Sequence, residues 1–179
     1  NHPTQFSISH LQLIDPMDVP RFASLGVFAS FQLFWAKPEN YSVEAVQPYI
    51  GPERTAMMYP AHSVARAGGT VVGGSDWNVS SFNPFEAIAA AMCRCNEKEP
   101  ERAPLVPAQA VDLTLMLKAY TINAAKMLGR ARETGSLMQG KLADVVILDR
   151  TLDSASADTV RQAKVAATFA KGRLVYEAG

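Results

Sequence analysis

The segment Thr70-Val71-Val72-Gly73-Gly74-Ser75-Asp76-Trp77 limits the fold more than any other stretch. It opens with the small and β-branched apolar residues of a strand buried on both faces, then stops at two glycines and delivers an acid. Strands of that kind belong to parallel sheets covered by helices. Chemistry collects at their carboxyl ends, because the strand fixes the backbone while the next loop shapes a pocket. Asp76 is therefore the leading candidate for a working residue, with a turn-capping aspartate as the competing reading. The segment also approaches the G-x-S-x-G nucleophile elbow, but Trp77 stands where a sharp strand-to-helix turn needs no side chain, so Ser75 is a poor nucleophile. A phosphate cradle is excluded, since no Gly-Lys-Ser/Thr and no G-x-G-x-x-G leads into a helix.

Composition narrows the partners. Seventeen basic and seventeen acidic side chains cancel, which removes any broad attraction to nucleic acid or to an anionic membrane and favours a small or neutral ligand. With 48% apolar and 19% charged residues over 179 positions, the chain has the means to bury a proper core. Cys93 and Cys95 stand two apart in an expected helix, point in different directions so that they do not readily bridge, and read as free thiols in a reducing compartment, hence a cytoplasmic setting. No apolar run approaches about 18 residues and no basic-then-apolar leader is visible, so neither a spanning helix nor a signal peptide is expected. A start at Asn1 rather than Met fits a processed, truncated or partial product.

In chain order, Phe6 to Leu11 alternates as a strand with His10 near its end. Asp15-Pro16 reads as an N-cap with proline at the first helical position, Val19, Phe22, Ala23 and Leu25 as an apolar face, and Gly26 as the stop. Val27 to Gln32 is a second strand, parallel to the first in a βαβ unit. From Leu33 to about Glu53, Pro38, Pro48 and Pro52 break the pattern, and an irregular lid or pocket wall carrying Trp35 is expected. Asn83-Pro84-Phe85-Glu86 starts a helix, a second begins after Asp112, and it continues or restarts at Thr121 until Gly129. Arg94 reads as solvating its helix. The tail carries a strand over 142–149 and a hairpin of Val165–Ala170 and Arg173–Glu177 around Lys171-Gly172, an antiparallel piece beside the α/β part.

These residues resemble the C-terminal half of a metal-dependent amidohydrolase, in the branch that includes the N-substituted formamide deformylases. Ile8-Ser9-His10, Arg21-Phe22-Ala23-x-Leu25-Gly26-Val27 and Ala29-Ser30-Phe31-Gln32 look like that branch's sixth and seventh barrel strands, and Gly74-Ser75-Asp76-Trp77 with Asn83-Pro84 like its eighth. Ala119-Tyr120-Thr121-x-Asn123-Ala124-Ala125, then Gly135-Ser136-Leu137-x-x-Gly140-Lys141-Leu142-Ala143-Asp144, is similar to the passage from barrel to accessory β-sandwich. The resemblance implies an α/β fold: the last part of a (β/α)8 TIM barrel over 1–134, and strands of the β-sandwich over 135–179. It implies His10 as a metal ligand, Asp76 as both ligand and catalytic proton shuttle, and Trp77, Gln32 and Trp35 as pocket residues. The cofactor implied is a divalent metal, zinc first, with manganese, iron and cobalt compatible with the same donors.

The implied activity is attack by metal-activated water on a carbon–nitrogen bond of an amide-like small molecule. His10 has a competing structural reading, since a lone strand histidine is often simply hydrogen-bonded. His2 and His62 have no such support. Ser9 stands where the family usually carries a glutamate, and the family's first-strand His-x-His, fourth-strand lysine or glutamate and fifth-strand histidine have no counterpart. Two protein donors do not make a three-ligand site. The expectation is thus an amidohydrolase portion inactive alone, completed by another segment or self-associating. The alternatives are a non-catalytic structural piece, or a deaminase or cyclic-amide hydrolase of the same superfamily.

Overall fold

A computed structural model describes residues 4–179, and His2 lies outside them. β1 (Ser7–His10), β2 (Phe28–Phe31) and β3 (Val71–Gly73) pair in parallel in the order β1-β2-β3. His10 lies level with Phe31, and Phe31 with Gly73, so the three carboxyl ends share one edge. β2, the central strand, is buried throughout, whereas all four residues of β1 are exposed.

The crossover helix α1 spans Val19–Ser24 and begins later than Asp15-Pro16 suggests. Pro20 is the reason. A helix starting at Pro16 would put Pro20 in its interior, where the ring collides with the preceding turn; starting at Val19 leaves it in the first turn. Asp15 caps a turn instead, its carboxylate accepting the Met17 N–H at 2.9 Å. Gly26, at φ +64°, ends α1 as expected: its N–H donates to the Ala23 carbonyl and that of Val27 to Phe22, the paired bonds of a Schellman close.

The stretch after β2 is more ordered than its prolines suggest. A 3₁₀ turn (Leu33–Trp35) leads to a π-helical turn (Tyr41–Val46), then to α2 (Gln47–Thr55), which breaks at Gly51, and to α3 (Ala61–Arg66). Pro48 sits in the opening turn of α2, and Pro52 comes directly after the break at Gly51, so neither prevents helix. α4 (Pro84–Cys93) is capped by Asn83, whose side chain accepts the Phe85 N–H and donates to Glu86. α5 (Leu113–Tyr120) is capped by Asp112, and α6 (Ile122–Met127) restarts after a kink at Thr121.

In the tail, β4 (Val145–Leu148), β5 (Val165–Ala170) and β6 (Arg173–Glu177) form an antiparallel sheet in the order β4-β5-β6. The β5–β6 turn is Lys171-Gly172, both with positive φ, the combination a tight two-residue hairpin requires. A short helix, α7 (Ala157–Arg161), has no counterpart in the sequence pattern; at five residues it is too brief for periodicity to reveal, and Ser156 caps it by accepting the Thr159 N–H. It packs on α4. No helix among the described residues is long and apolar enough to cross a membrane.

The core joins Phe31, Leu33 and Val71 of the parallel sheet to Met58, Tyr59, Val64, Ile88 and Met116. Arg94 corrects its sequence reading. Rather than solvating α4, it adopts the left-handed conformation at the helix end and is 0% exposed. Its guanidinium donates to the carbonyls of Leu105 (2.7 Å), Met58 (2.9 Å) and Tyr59 (3.3 Å). Burial lowers its pKa to about 10, with the adjoining Tyr59 ring opposing. Because α4 ends at Cys93, the two cysteines do not share a helix and do not diverge as helical spacing implies.

Candidate active site

The carboxyl edge of the parallel sheet carries the residues singled out from sequence. His10 ends β1 with φ +71°, and Asp76, three residues beyond β3, has φ +52°. Six other non-glycine residues among those described share left-handed backbone, so the conformation does not single out this edge; His and Asp tolerate it better than most side chains. The His10 imidazole stacks on Trp35, centroids 5.6 Å apart and planes 19° from parallel. Among the described residues neither the His10 ring nor the Asp76 carboxylate has a hydrogen-bond partner, so both retain free lone pairs.

Gln32 braces this edge. It is buried immediately after β2, and its Oε1 accepts the His10 backbone N–H at 2.9 Å. On its other side, Nε2 would lie 3.1 Å from a Cβ at position 74. Gly74 therefore leaves room for the amide, and Gln32 spans from β1 to the start of the loop bearing Asp76. Gly73 has a second reason: a Cβ there would come within 2.5 Å of the Tyr120 ring. Tyr120 closes the base of the loop from α5, its hydroxyl 3.5 Å from the Gly74 carbonyl, and burial raises its pKa to about 12.

Trp77 is 69% exposed and meets Phe82 edge-on, centroids 6.3 Å apart, at the outer wall of the loop. The Trp77 backbone N–H donates to the Ser75 hydroxyl at 3.2 Å, and the Ser80 hydroxyl donates to the Ser75 carbonyl, which folds the loop back on itself. The structure thus brings His10, Gln32 and Trp35 into contact. Asp76 and Trp77 stand on the neighbouring loop of the same edge, joined to that trio through Gly74 rather than by a direct bond among the described residues. His62 sits in the first turn of α3.

Sequence reasoning missed two supports. One is Tyr120, whose role no spacing reveals. The other is Lys37, 2% exposed along its side chain, paired with Glu97 (3.2 Å) and Glu39 (3.4 Å) and set 4.1 Å over the Phe34 ring. It ties the segment carrying Trp35 to the loop after α4. Although burial opposes ionisation of Glu97, hydrogen bonds from backbone and the Lys37 charge hold its pKa below the usual glutamate value.

This architecture has known counterparts. The family described as amidohydrolase matches residues 1–176. The chain belongs to the amidohydrolase family. It is 32% identical over 176 residues to Protein LONG AFTER FAR-RED 3 of Arabidopsis thaliana, covering 96% of this chain and 29% of that protein. It is 34% identical over 120 residues to the N-substituted formamide deformylase of Arthrobacter pascens, covering 67% of this chain and 22% of the enzyme. The chain therefore spans less than a third of either relative. Among solved structures, an adenosine deaminase from Xanthomonas campestris with bound zinc superposes with a TM-score of 0.64 at 21% identity, over 96% of this chain and 37% of that one. That likeness establishes a shared mixed α/β fold.

The donor chemistry at the edge fits part of a metal site. An imidazole and a carboxylate, neither hydrogen-bonded among the described residues, are donors that zinc and similar divalent ions accept. Among the described residues no group of three or more His, Cys, Asp or Glu side chains gathers to hold an ion. A catalytic ion needs at least one further protein donor.

Proposed function

We propose that this chain is the C-terminal portion of an amidohydrolase that hydrolyses a carbon–nitrogen bond in an uncharged, amide-like small molecule. The single observation that carries the reading is the shared edge of the parallel sheet. There His10 and Asp76 hold free donors on either side of Gln32, in a chain of amidohydrolase ancestry. In this reading β1, β2 and β3 are the last strands of a (β/α)8 barrel within residues 1–134. Residues 135–179 add strands to an accessory β-sandwich, and preceding barrel strands come from a segment beyond this chain.

His10 and Asp76 would hold a divalent metal, zinc first. When bound, such an ion brings the pKa of a coordinated water from that of bulk water to near 7. The chain's own residues do the rest. Trp35 fixes the plane of the His10 ring, and Gln32 fixes its backbone. The Asp76 carboxylate accepts a proton from the attacking water and delivers it to the departing nitrogen, which makes it the proton shuttle. Trp77, with Trp35 and Gln32, contributes to the substrate wall. The neutral character of that wall supports a neutral substrate: over 4–14, 26–36 and 67–85, Asp76 is the only charged side chain apart from a titratable histidine. Two protein donors are too few for catalysis, so the chain alone is inactive, and its setting is the cytoplasm.

The test uses the product of the complete open reading frame, assayed on neutral N-substituted amides beside analogues bearing a carboxylate. Asp76→Asn is expected to lower kcat by about 10²–10⁴ with little change in KM. An Asp76→Asn protein with wild-type kcat, or a preference for carboxylated substrates, overturns the reading. Release of ammonia from a ring amine in place of amide cleavage would move the protein to the deaminases of the family.

A further inference from the structure

α4 stops at Cys93, and the next two residues turn an ordinary C-x-C spacing into a paired site. Arg94 takes left-handed backbone, φ +59°, held there by its N–H to the Ala90 carbonyl (2.7 Å) and its buried guanidinium. The chain reverses at that single residue, and the two cysteines fold across each other. The Cys95 N–H donates to Cys93 Sγ at 3.2 Å, and Cys95 Sγ donates to the Cys93 carbonyl at 3.1 Å. Both thiols are half-buried and free. Cα atoms two residues apart lie within about 7 Å even when fully extended, and a turn between them brings the pair into the range a disulfide accepts.

The two sulfurs differ in what surrounds them. Cys93 Sγ accepts the Cys95 amide N–H and lies 4.0 Å from the Arg161 guanidinium of α7, with the Cys95 carbonyl also at 4.0 Å; an amide and a guanidinium are the donors beside which reactive cysteines are found. Arg161 is itself oriented by Asp158, at 2.5 Å. Cys95 Sγ instead donates to the Cys93 carbonyl, a bond that uses its proton, and burial and the Cys93 sulfur raise its thiol to about 11, with the Arg161 charge opposing. An attacking sulfur beside a protonated partner is the division of labour that a reactive and a resolving cysteine need.

We propose that Cys93 and Cys95 form a reversible thiol-oxidation site, with Cys93 as the hydroperoxide-reactive sulfur and Cys95 as the resolving one. The Cys93 thiolate attacks the distal peroxide oxygen, the O–O bond breaks, and the departing oxygen takes a proton and leaves as water from hydrogen peroxide or as an alcohol from an alkyl hydroperoxide, so that Cys93 becomes a sulfenic acid. Cys95 Sγ then attacks that sulfur; its own proton and the sulfenic hydroxyl depart as a second water, and the S–S bond forms. One hydroperoxide is reduced and two thiols are oxidised. A dithiol reductant returns the pair.

The experiment treats the reduced product of the complete open reading frame with hydrogen peroxide and tracks intact mass, the thiol state of Cys93 and Cys95 by peptide mapping, and dimedone labelling. Wild type is expected to lose both thiols in a single monomeric product, recovered by dithiothreitol. Cys95→Ser is expected to arrest at a dimedone-reactive sulfenic acid on Cys93. Cys93→Ser should leave Cys95 as a thiol at the same exposure. Arg161→Gln, which leaves both cysteines in place, should slow Cys93 oxidation several-fold. Equal oxidation of Cys95 in the Cys93→Ser variant, an exclusively intermolecular disulfide, or no thiol loss in wild type while a free-thiol peptide control oxidises, would each overturn the proposal.

Discussion

The turn around Arg94 and the carboxyl edge of the parallel sheet treat polar groups in opposite ways. Around Arg94 the guanidinium is wholly buried and donates to three main-chain carbonyls, joining the end of α4 to the segment before α3 and to Leu105. At the sheet edge, His10 and Asp76 sit in left-handed backbone with side chains that bond to nothing among the described residues. In the first region polar chemistry is used up in holding the chain together. In the second, Gln32, Gly74 and Tyr120 hold the backbone so that the donors stay available. The difference separates side chains that hold the fold from side chains whose polar atoms the fold leaves available.

The largest expected effect is at Arg94. Arg94→Leu leaves three buried carbonyls without their donor and should cost about 3–5 kcal/mol, read as a lowered urea midpoint with the m-value unchanged. Gly73→Ala comes next, since its Cβ would meet the Tyr120 ring; overpacking of this kind costs about 1–3 kcal/mol, and Tyr120→Leu in the same chain should recover part of it.

Lys37→Met is smaller, about 1–2 kcal/mol, because Glu97 keeps access to solvent. That pair also sets a pH dependence. The Glu97 pKa is depressed in the folded chain, so its contribution is complete above the ordinary glutamate range and is lost as pH falls through the lowered value. Glu97→Gln should therefore flatten the acid side of the stability profile, and an unchanged slope would show that Glu97 plays no part in it. The smallest effects on stability belong to His10→Ala, about 0.5–1.5 kcal/mol through its stack on Trp35, and Asp76→Asn, within about 0.5 kcal/mol, since the Asp76 side chain makes no contact that supports the fold among the described residues. A large loss of stability in either would erase the contrast between the two regions.

Sequence patterns revealed the parallel strands, the caps at Asn83 and Asp112 and the terminal hairpin, because each rests on contacts within a few residues or on a simple apolar period. The edge residues were legible for a related reason: strand ends are local features, and the family motifs mark His10, Gln32 and Asp76. The features that escaped notice depend on long-range contacts. Arg94 reads as an ordinary surface arginine until residues 58, 59 and 105 surround it, and Lys37 as a loop lysine until Glu97, sixty positions away, meets it. Pro20 moved the start of α1 through a clash that the attractive Asp15-Pro16 signal conceals. The convergence of Cys93 and Cys95 results from one left-handed residue, which a helical pattern cannot announce.

The most direct test of a metal held at the sheet edge is metal content by plasma emission for the product of the complete open reading frame, as wild type, His10→Ala and Asp76→Ala, with folding checked alongside. A divalent metal, chiefly zinc, is expected in the wild type, and both folded variants are expected to lose it. Equal metal in all three proteins would contradict that role, and the free donors at the sheet edge would then belong to some other chemistry.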